Sequence, residues 1–386
     1  MRFDTGKYLR RRCGVIGPFL GSVVTAAGLI QAACFGFAVW AQPPDVEPSP
    51  STLPQFDSPV DCTIDPMVPG TCLIQQYVDL DPGPGRLDHG CGRLSYDGAI
   101  GTDFRTATLS QMRAGVSVLA AADGVVEAVR DGMADVSVRE IGLEAVRGRE
   151  AGNGVVVRHS EDWVTQYSHL KKGSIVVGPG DRVSRGTVLG QIGLSGSTEF
   201  PHVEFAVRYR GRPVDPFVGL PSPGRGSEPD AKTDAGTPSD AGATLVNGCS
   251  GARTPLWSAR ALDEFTYVPT GILAMGIATE AVTEAAARAG RYDQTALRSD
   301  SPALVVWVDS YGTQKGDEQH FTVRTAKGAM IHDRTSKLEK NNISWFAFSG
   351  RRAPANGWPP GSYQARYSLI RNEKTVASRI IEFEIR

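Results

Sequence analysis

An imidazole and a carboxylate stand two residues apart at His202 and Glu204, inside the run Phe200-Pro201-His202-Val203-Glu204-Phe205-Ala206-Val207. The run alternates. Val203, Phe205, Val207 and Tyr209 fall on one face of a strand, and His202, Glu204 and Ala206 fall on the other. The apolar set belongs against a core, so the opposite face presents His202 and Glu204 side by side, an arrangement suited to metal ligation or to acid–base work. A second strand pattern lies upstream, where Trp163, Thr165, Tyr167 and His169 share a face by period two. His169 and His202 can therefore meet across a sheet. A third chemical segment, Ser95-Tyr96-Asp97-Gly98-Ala99-Ile100-Gly101-Thr102-Asp103-Phe104, supplies Asp103. The bland alternative is a hydrogen-bonded polar pair, His202 with Glu204, lining a groove, with Glu204 salt-bridged to Arg105 or Arg208.

In order along the chain stand Tyr167-Ser168-His169-Leu170, the turn Gly180-Asp181-Arg182-Val183, the loop Gly193-Leu194-Ser195-Gly196, and Val214-Asp215-Pro216-Phe217. Together with the segment around Asp103, these resemble the lysostaphin/LytM-type zinc endopeptidases, which cut peptide crosslinks of peptidoglycan. The resemblance covers roughly residues 85 to 218 and implies an antiparallel β fold. It also implies a zinc site with three protein ligands: a His and an Asp four residues apart, and the second His of a histidine-x-histidine pair. Asp103 matches the Asp. The preceding ligand falls on Ala99, which has no donor atom, and the last falls on Glu204. The family's two non-ligand histidines, which handle the attacking water and the tetrahedral intermediate, fall on His169 and His202. The implied cofactor is zinc if the domain is active, and otherwise no metal or a weakly held one, since such sites need three protein ligands and an open fourth position. Asp103 and Glu204 remain as oxygen donors, a set that suits a harder ion better than zinc. His89, ten residues before Ala99 with Cys91 near it, is a candidate replacement if a loop, bent at Gly90 and Gly92, brings it in. His159, His320 and His332 read as ordinary structural or surface histidines.

These residues need strands to hold them, and the chain reads as all-β. From Cys62 to Phe217, Val/Ile runs alternate with Gly turns. They predict strands at Val125–Val129, Val155–Arg158, Trp163–Leu170, Ser174–Val177 and Val188–Ile192, with no helical crossover units. After residue 246 a second set of runs, Leu304–Val308, His320–Arg324, Ser344–Phe348, Tyr363–Ile370 and Ile380–Ile385, predicts a small immunoglobulin-like β-sandwich. Asn372-Glu373-Lys374 is expected at a hairpin tip, and Thr279–Gly290, rich in Ala and Glu, as a short helix. The division follows as 1–41 targeting segment, 42–60 Pro-rich linker, 61–218 LytM/lysostaphin-like domain, 219–246 linker too poor in large apolar residues to build a core, and 247–386 sandwich.

The targeting segment has a positive start (Arg2, Lys7, Arg10, Arg11, Arg12) and no charge from Cys13 to Ala41. It ends on Val39-Trp40-Ala41, with small residues at the positions a signal peptidase reads. A cleaved signal peptide or a retained membrane anchor both export the rest, to the periplasm or beyond. Outside that segment lie Cys62, Cys72, Cys91 and Cys249, which allow two disulfides in any of three pairings. The net charge of −1 over 386 residues leaves no electrostatic footprint for nucleic acid. Three functions fit: a non-catalytic wall module binding peptidoglycan peptides or, as the resemblance allows, a wall amidase; an active endopeptidase with an altered metal site; or an exported adhesion protein whose sandwich binds a partner.

Overall fold

The computed structural model describes residues 53–65, 70–219, 249 and 253–386. The expected targeting segment, and the expected 219–246 linker apart from Gly219, lie outside those residues. Ten strands build the first half: β1 (Cys72–Gln76), β2 (Thr102–Thr106), β3 (Ser117–Leu119), β4 (Gly124–Arg130), β5 (Asn153–Arg158), β6 (Trp163–Leu170), β7 (Arg182–Val183), β8 (Val188–Gln191), β9 (His202–Tyr209) and β10 (Arg212–Val214). Eight of them form one antiparallel sheet in the order β1-β2-β9-β6-β5-β4-β7, with β10 beside β9, while β3 pairs with β8. Ser174–Val177 is not a strand. The described helices α1 (Leu109–Ala114), α2 (Val138–Ile141), α3 (Ala259–Glu264) and α4 (Glu284–Arg288) are short. The last is the core of the expected Ala/Glu helix, capped where the Thr283 hydroxyl accepts from the Ala286 amide.

Alternation sets the two faces of β9. Val203, Phe205 and Val207 are fully buried against the core, where burial of such side chains contributes about 1.5–3 kcal/mol each. The sequence expectation for β6 fails at one residue. Thr165 pairs with Val207 and Tyr167 with Phe205, so both face the core, and by period two His169 would follow them. Asn153 pairs with Leu170 and Val155 with Tyr167, however, leaving Ser168 and His169 together opposite Gly154. This bulge inserts one extra residue and reverses the phase. His169 takes a φ of 64° and turns to the face that carries Glu204.

The second half adds β11 (Gly271–Ala278), β12 (Ala296–Leu297), β13 (Ala303–Thr313), β14 (Glu318–Thr325), β15 (Met330–Lys337), β16 (Asn342–Arg352), β17 (Gly361–Arg371) and β18 (Lys374–Ile385). Sheets β11-β13-β16 and β12-β18-β17-β14-β15 enclose Ile277, Val306, Phe321, Tyr367 and Phe383. Asn372 and Glu373 form the expected hairpin tip at φ values of 50° and 67°, and Lys374 already belongs to β18.

Two expected boundaries move. The 42–60 stretch is not a linker throughout, because Phe56 is fully buried in the first core and pairs with Trp257. Leu256, Trp257, Ala261 and Phe265, expected in the sandwich, fill that same first core. Trp257 meets Phe104, Phe217 and Phe265 edge-on and Phe205 at a tilt, at centroid distances of 5.0–6.0 Å. The described residues from 53 to 386 accordingly belong to one compact unit. Of the three possible pairings, the structure holds Cys62–Cys72 and Cys91–Cys249, the second joining the two sides of the 219–246 segment.

Candidate functional site

Strands β2, β6 and β9 bring Asp103, His169, His202 and Glu204 onto one face. Asp103 pairs with Glu204 across β2 and β9, and Ser168 pairs with Glu204 across β6 and β9. The rings of His169 and His202 lie 4.6 Å apart, so the expected meeting across the sheet occurs, through the bulge rather than through simple alternation. Gly101 makes the room for Glu204, since a Cβ at 101 would stand 2.6 Å from Glu204 Cγ and 3.1 Å from the Phe205 carbonyl oxygen.

Hydrogen bonds fix both imidazoles. His169 Nδ1 lies 2.7 Å from the Ser195 carbonyl oxygen and His202 Nδ1 lies 2.9 Å from that of Phe200. A carbonyl only accepts, so both Nδ1 atoms carry hydrogen and both Nε2 atoms face the site. There His169 Nε2 sits 3.3 Å from Glu204 Oε2, and His202 Nε2 sits 3.6 Å from Asp103 Oδ1. Two ring nitrogens and two carboxylates thus converge in a pocket where the four side chains are 5–14% exposed. They are mutually compatible only with protons or a cation shared among them.

The electrostatics follow from burial. Desolvation, then the Glu204 charge, raises the Asp103 carboxyl well above the ordinary range, against the pull of Arg105. Burial pushes His202 well below its usual value, aided by His169 and Arg105. For Glu204, burial works upward, but the hydrogen bond and charge of His169, with Arg208, carry it below the usual value. Two neighbouring carboxyls are therefore pushed in opposite directions.

Ala99, the remaining matched position, is buried and engages its neighbours only through backbone: its carbonyl accepts from the Asp79 amide at 2.9 Å. His89 does not reach the site. It stacks on Phe217 at 4.2 Å and meets Tyr77 and Tyr267 edge-on. His159 is structural, between the Asp123 carbonyl and the Thr165 hydroxyl. Among the described residues, no group of three or more His, Cys, Asp or Glu side chains has the arrangement of a metal-holding cluster.

The four residues line a cavity of about 420 Å³ whose walls come from both halves of the chain. Gln75, Gln76, Tyr96, Leu143, Thr198 and Phe200 contribute from the first half, and Arg288, Ile343 and Ser344 from the second. Sequence reasoning quoted Tyr96 and Phe200 only as members of their segments and missed the rest. The β1 segment, Cys72-Leu73-Ile74-Gln75-Gln76, carries no clean alternation, and nothing in β16 marks its first residues as groove-facing.

Residues 101–216 match the family described as Peptidase family M23. The chain is 43% identical over 65 residues to Peptidoglycan DD-endopeptidase ShyA of Vibrio cholerae, covering 17% of this chain and 15% of that protein. It is 36% identical over 76 residues to Cell division protein DipM of Caulobacter vibrioides, covering 18% and 12%. A solved structure described as a zinc containing peptidase from Vibrio cholerae is 27% identical, with a TM-score of 0.24, over 40% of this chain and 39% of that one. The chain spans no more than 15% of the length of those two curated relatives. The segment carrying Asp103, His169, His202 and Glu204 is thus a LytM/lysostaphin-type domain of Peptidase family M23.

Proposed function

We propose that this chain is an exported, cell-wall-associated protein whose M23 domain works without a catalytic zinc ion, as a peptidoglycan-binding module or as a regulator of a wall hydrolase such as an amidase. The observation that carries this reading is the donor set. Of the three positions matched to zinc ligands, Asp103 alone brings the expected side chain; Ala99 brings none, and Glu204 is engaged by His169 at 3.3 Å. That set falls short of the three protein donors that a tetrahedral zinc with one open position requires. The groove, about 420 Å³ in volume, has room for a ligand larger than an ion. Export is supported by the cationic and then uncharged N-terminus, and the near-zero net charge argues against nucleic acid as a partner.

A second reading, an active endopeptidase with an altered metal centre, is favoured by one feature. His169 Nε2, His202 Nε2 and the two carboxylates face the same space, and with its Nε2 proton lost His169 would join the others as a lone-pair donor to a cation. In that case Asp103, Glu204 and one of the histidines would hold it.

Metal content separates the two. Purified full-length protein is dialysed against trace zinc and analysed by plasma mass spectrometry, alongside an endopeptidase assay on purified sacculi. Metal near zero per chain and no cleavage support the binding module. About one metal per chain, with cleavage lost in His202→Ala, overturns it in favour of the altered enzyme.

A further inference from the structure

Gln75 is fully buried, lines the groove, and its Nε2 has no hydrogen-bond partner. Its orientation is not free. The guanidinium of Arg105, itself fully buried, donates Nη1–H to Gln75 Oε1. Arginine has no acceptor, so the amide oxygen must face Arg105 and the NH2 must face away from it. Arg105 is in turn held by the Thr106 carbonyl oxygen at 3.1 Å and by stacking over the Phe200 ring at 4.3 Å. Across the same cavity, Ser344 is arranged alike. Arg288 Nη2 donates to Ser344 Oγ at 2.8 Å, and Arg288 is fixed by Asp309 at 2.7 Å and Glu284 at 2.7 Å. With its oxygen engaged as an acceptor, the Ser344 hydroxyl has its hydrogen left to donate.

Each half of the chain therefore places one neutral donor on the groove, with the acceptor atom of that side chain occupied by an arginine, fully buried Arg105 on one side and partly buried Arg288 on the other. A buried donor left unpaired costs about 1–3 kcal/mol, so the Gln75 amide is complete only when an acceptor reaches it from the groove, while the half-buried Ser344 hydroxyl is free to donate to the same occupant or to water. The partner is an oxygen acceptor. A peptide carbonyl meets that need without adding a charge to a cavity where the Glu199 and Glu204 carboxylates already face Arg139 and Arg288. We infer that Gln75 and Ser344 are substrate-binding donors that hold backbone carbonyl oxygens of an extended peptide laid between the two halves of the chain. The sandwich then forms one wall of the peptide site and is not a separate adhesion unit. The inference rests on the peptide-groove reading above and deepens it.

The test is calorimetric titration of the full-length chain with a soluble crosslinked muropeptide dimer, and separately with peptide-free glycan strands. Gln75→Glu keeps an acceptor for Arg105 but removes the donor; Ser344→Ala removes the other donor at a half-buried position. The expected result is binding of the dimer, weakened about three- to tenfold in each variant, and no binding of bare glycan. Dimer binding that stays within twofold in both variants overturns the inference and leaves the groove reading standing. Equal binding of bare glycan overturns the peptide class. No binding of either probe to the parent chain overturns the inference and the peptidoglycan-binding form of the function together, leaving only the hydrolase-regulating form. If Gln75→Glu fails to fold, Ser344→Ala decides alone.

Discussion

Gly101 and Glu204 are a matched pair: the carboxylate occupies the volume that a side chain at 101 would need. Gly101→Ala would press on the Phe205 backbone and on Glu204 at 2.6 Å. It is expected to destabilise the fold by about 1–3 kcal/mol, read by chemical denaturation, and to widen the 3.3 Å contact between Glu204 and His169. The donor-set argument makes its own demand at this scale. Restoring imidazoles with Ala99→His and Glu204→His should raise zinc content after dialysis from near zero toward one per chain, whereas Glu204→His alone should gain much less. A double variant that holds no more zinc than its parent would break the link between positions 99 and 204 and the metal. Ala99 is buried, so the double variant also needs a denaturation curve to show that the added ring is accommodated.

At the scale of elements, the loop before β2 and the segment after β10 meet in an aromatic cluster whose buried titratable groups include Asp215 and His89. Asp215 accepts from the Phe217 amide through Oδ1 at 2.8 Å, while Oδ2 has no partner. Burial, against that hydrogen bond and the Arg253 charge, pushes its carboxyl up to about 7. Its folded value lies above its unfolded one, so the folded state holds a proton the unfolded state has lost, and stability falls as pH rises from about 4 through 7. Asp215→Asn should therefore gain on the parent as pH is raised from 5 to 8, by roughly 1.4 kcal/mol per pH unit at most, in melting curves across that range. His89, pushed down to about 4 by burial, has the opposite sign. Its contribution is present above about 6.5 and is lost as pH falls toward 4. His89→Phe keeps the stack on Phe217 and should flatten that acid limb; an unchanged limb would place the loss elsewhere. How far such elements are legible in sequence depends on their regularity. The strict alternation of β9 announced both its core face and the His202–Glu204 face. The bulge at Ser168 and His169 could not be read, because a one-residue insertion leaves composition untouched while reversing every side chain beyond it. Gln75 gave no signal either, since a groove-facing glutamine differs from a surface one only through Arg105, thirty residues away.

At the scale of the whole molecule, composition marks where a core is impossible but not which core a segment joins. The 219–246 stretch was readable as poor in large apolar residues. That Leu256, Trp257 and Phe265, beyond it, close the first core was not, because an apolar run carries no address until its partners are placed. The consequence is strong. A chain ending at residue 219 would strip those three side chains from Phe56, Phe104, Phe205 and Phe217 and would also lose the Cys91–Cys249 link. Burial contributes roughly 1.5–3 kcal/mol for each such side chain, against a total folding margin of about 5–15 kcal/mol for a typical domain. The shortened chain should therefore bind hydrophobic dye and unfold without a sharp transition, while the full-length protein melts in one cooperative step and Phe265→Ala lowers its stability by about 3–5 kcal/mol. Calorimetry on the three proteins checks this. If residues 53–219 alone melted cooperatively at the temperature of the full chain, the shared core would be dispensable, and the groove, whose far wall is Arg288, Ile343 and Ser344, would have to be assigned to the first half alone.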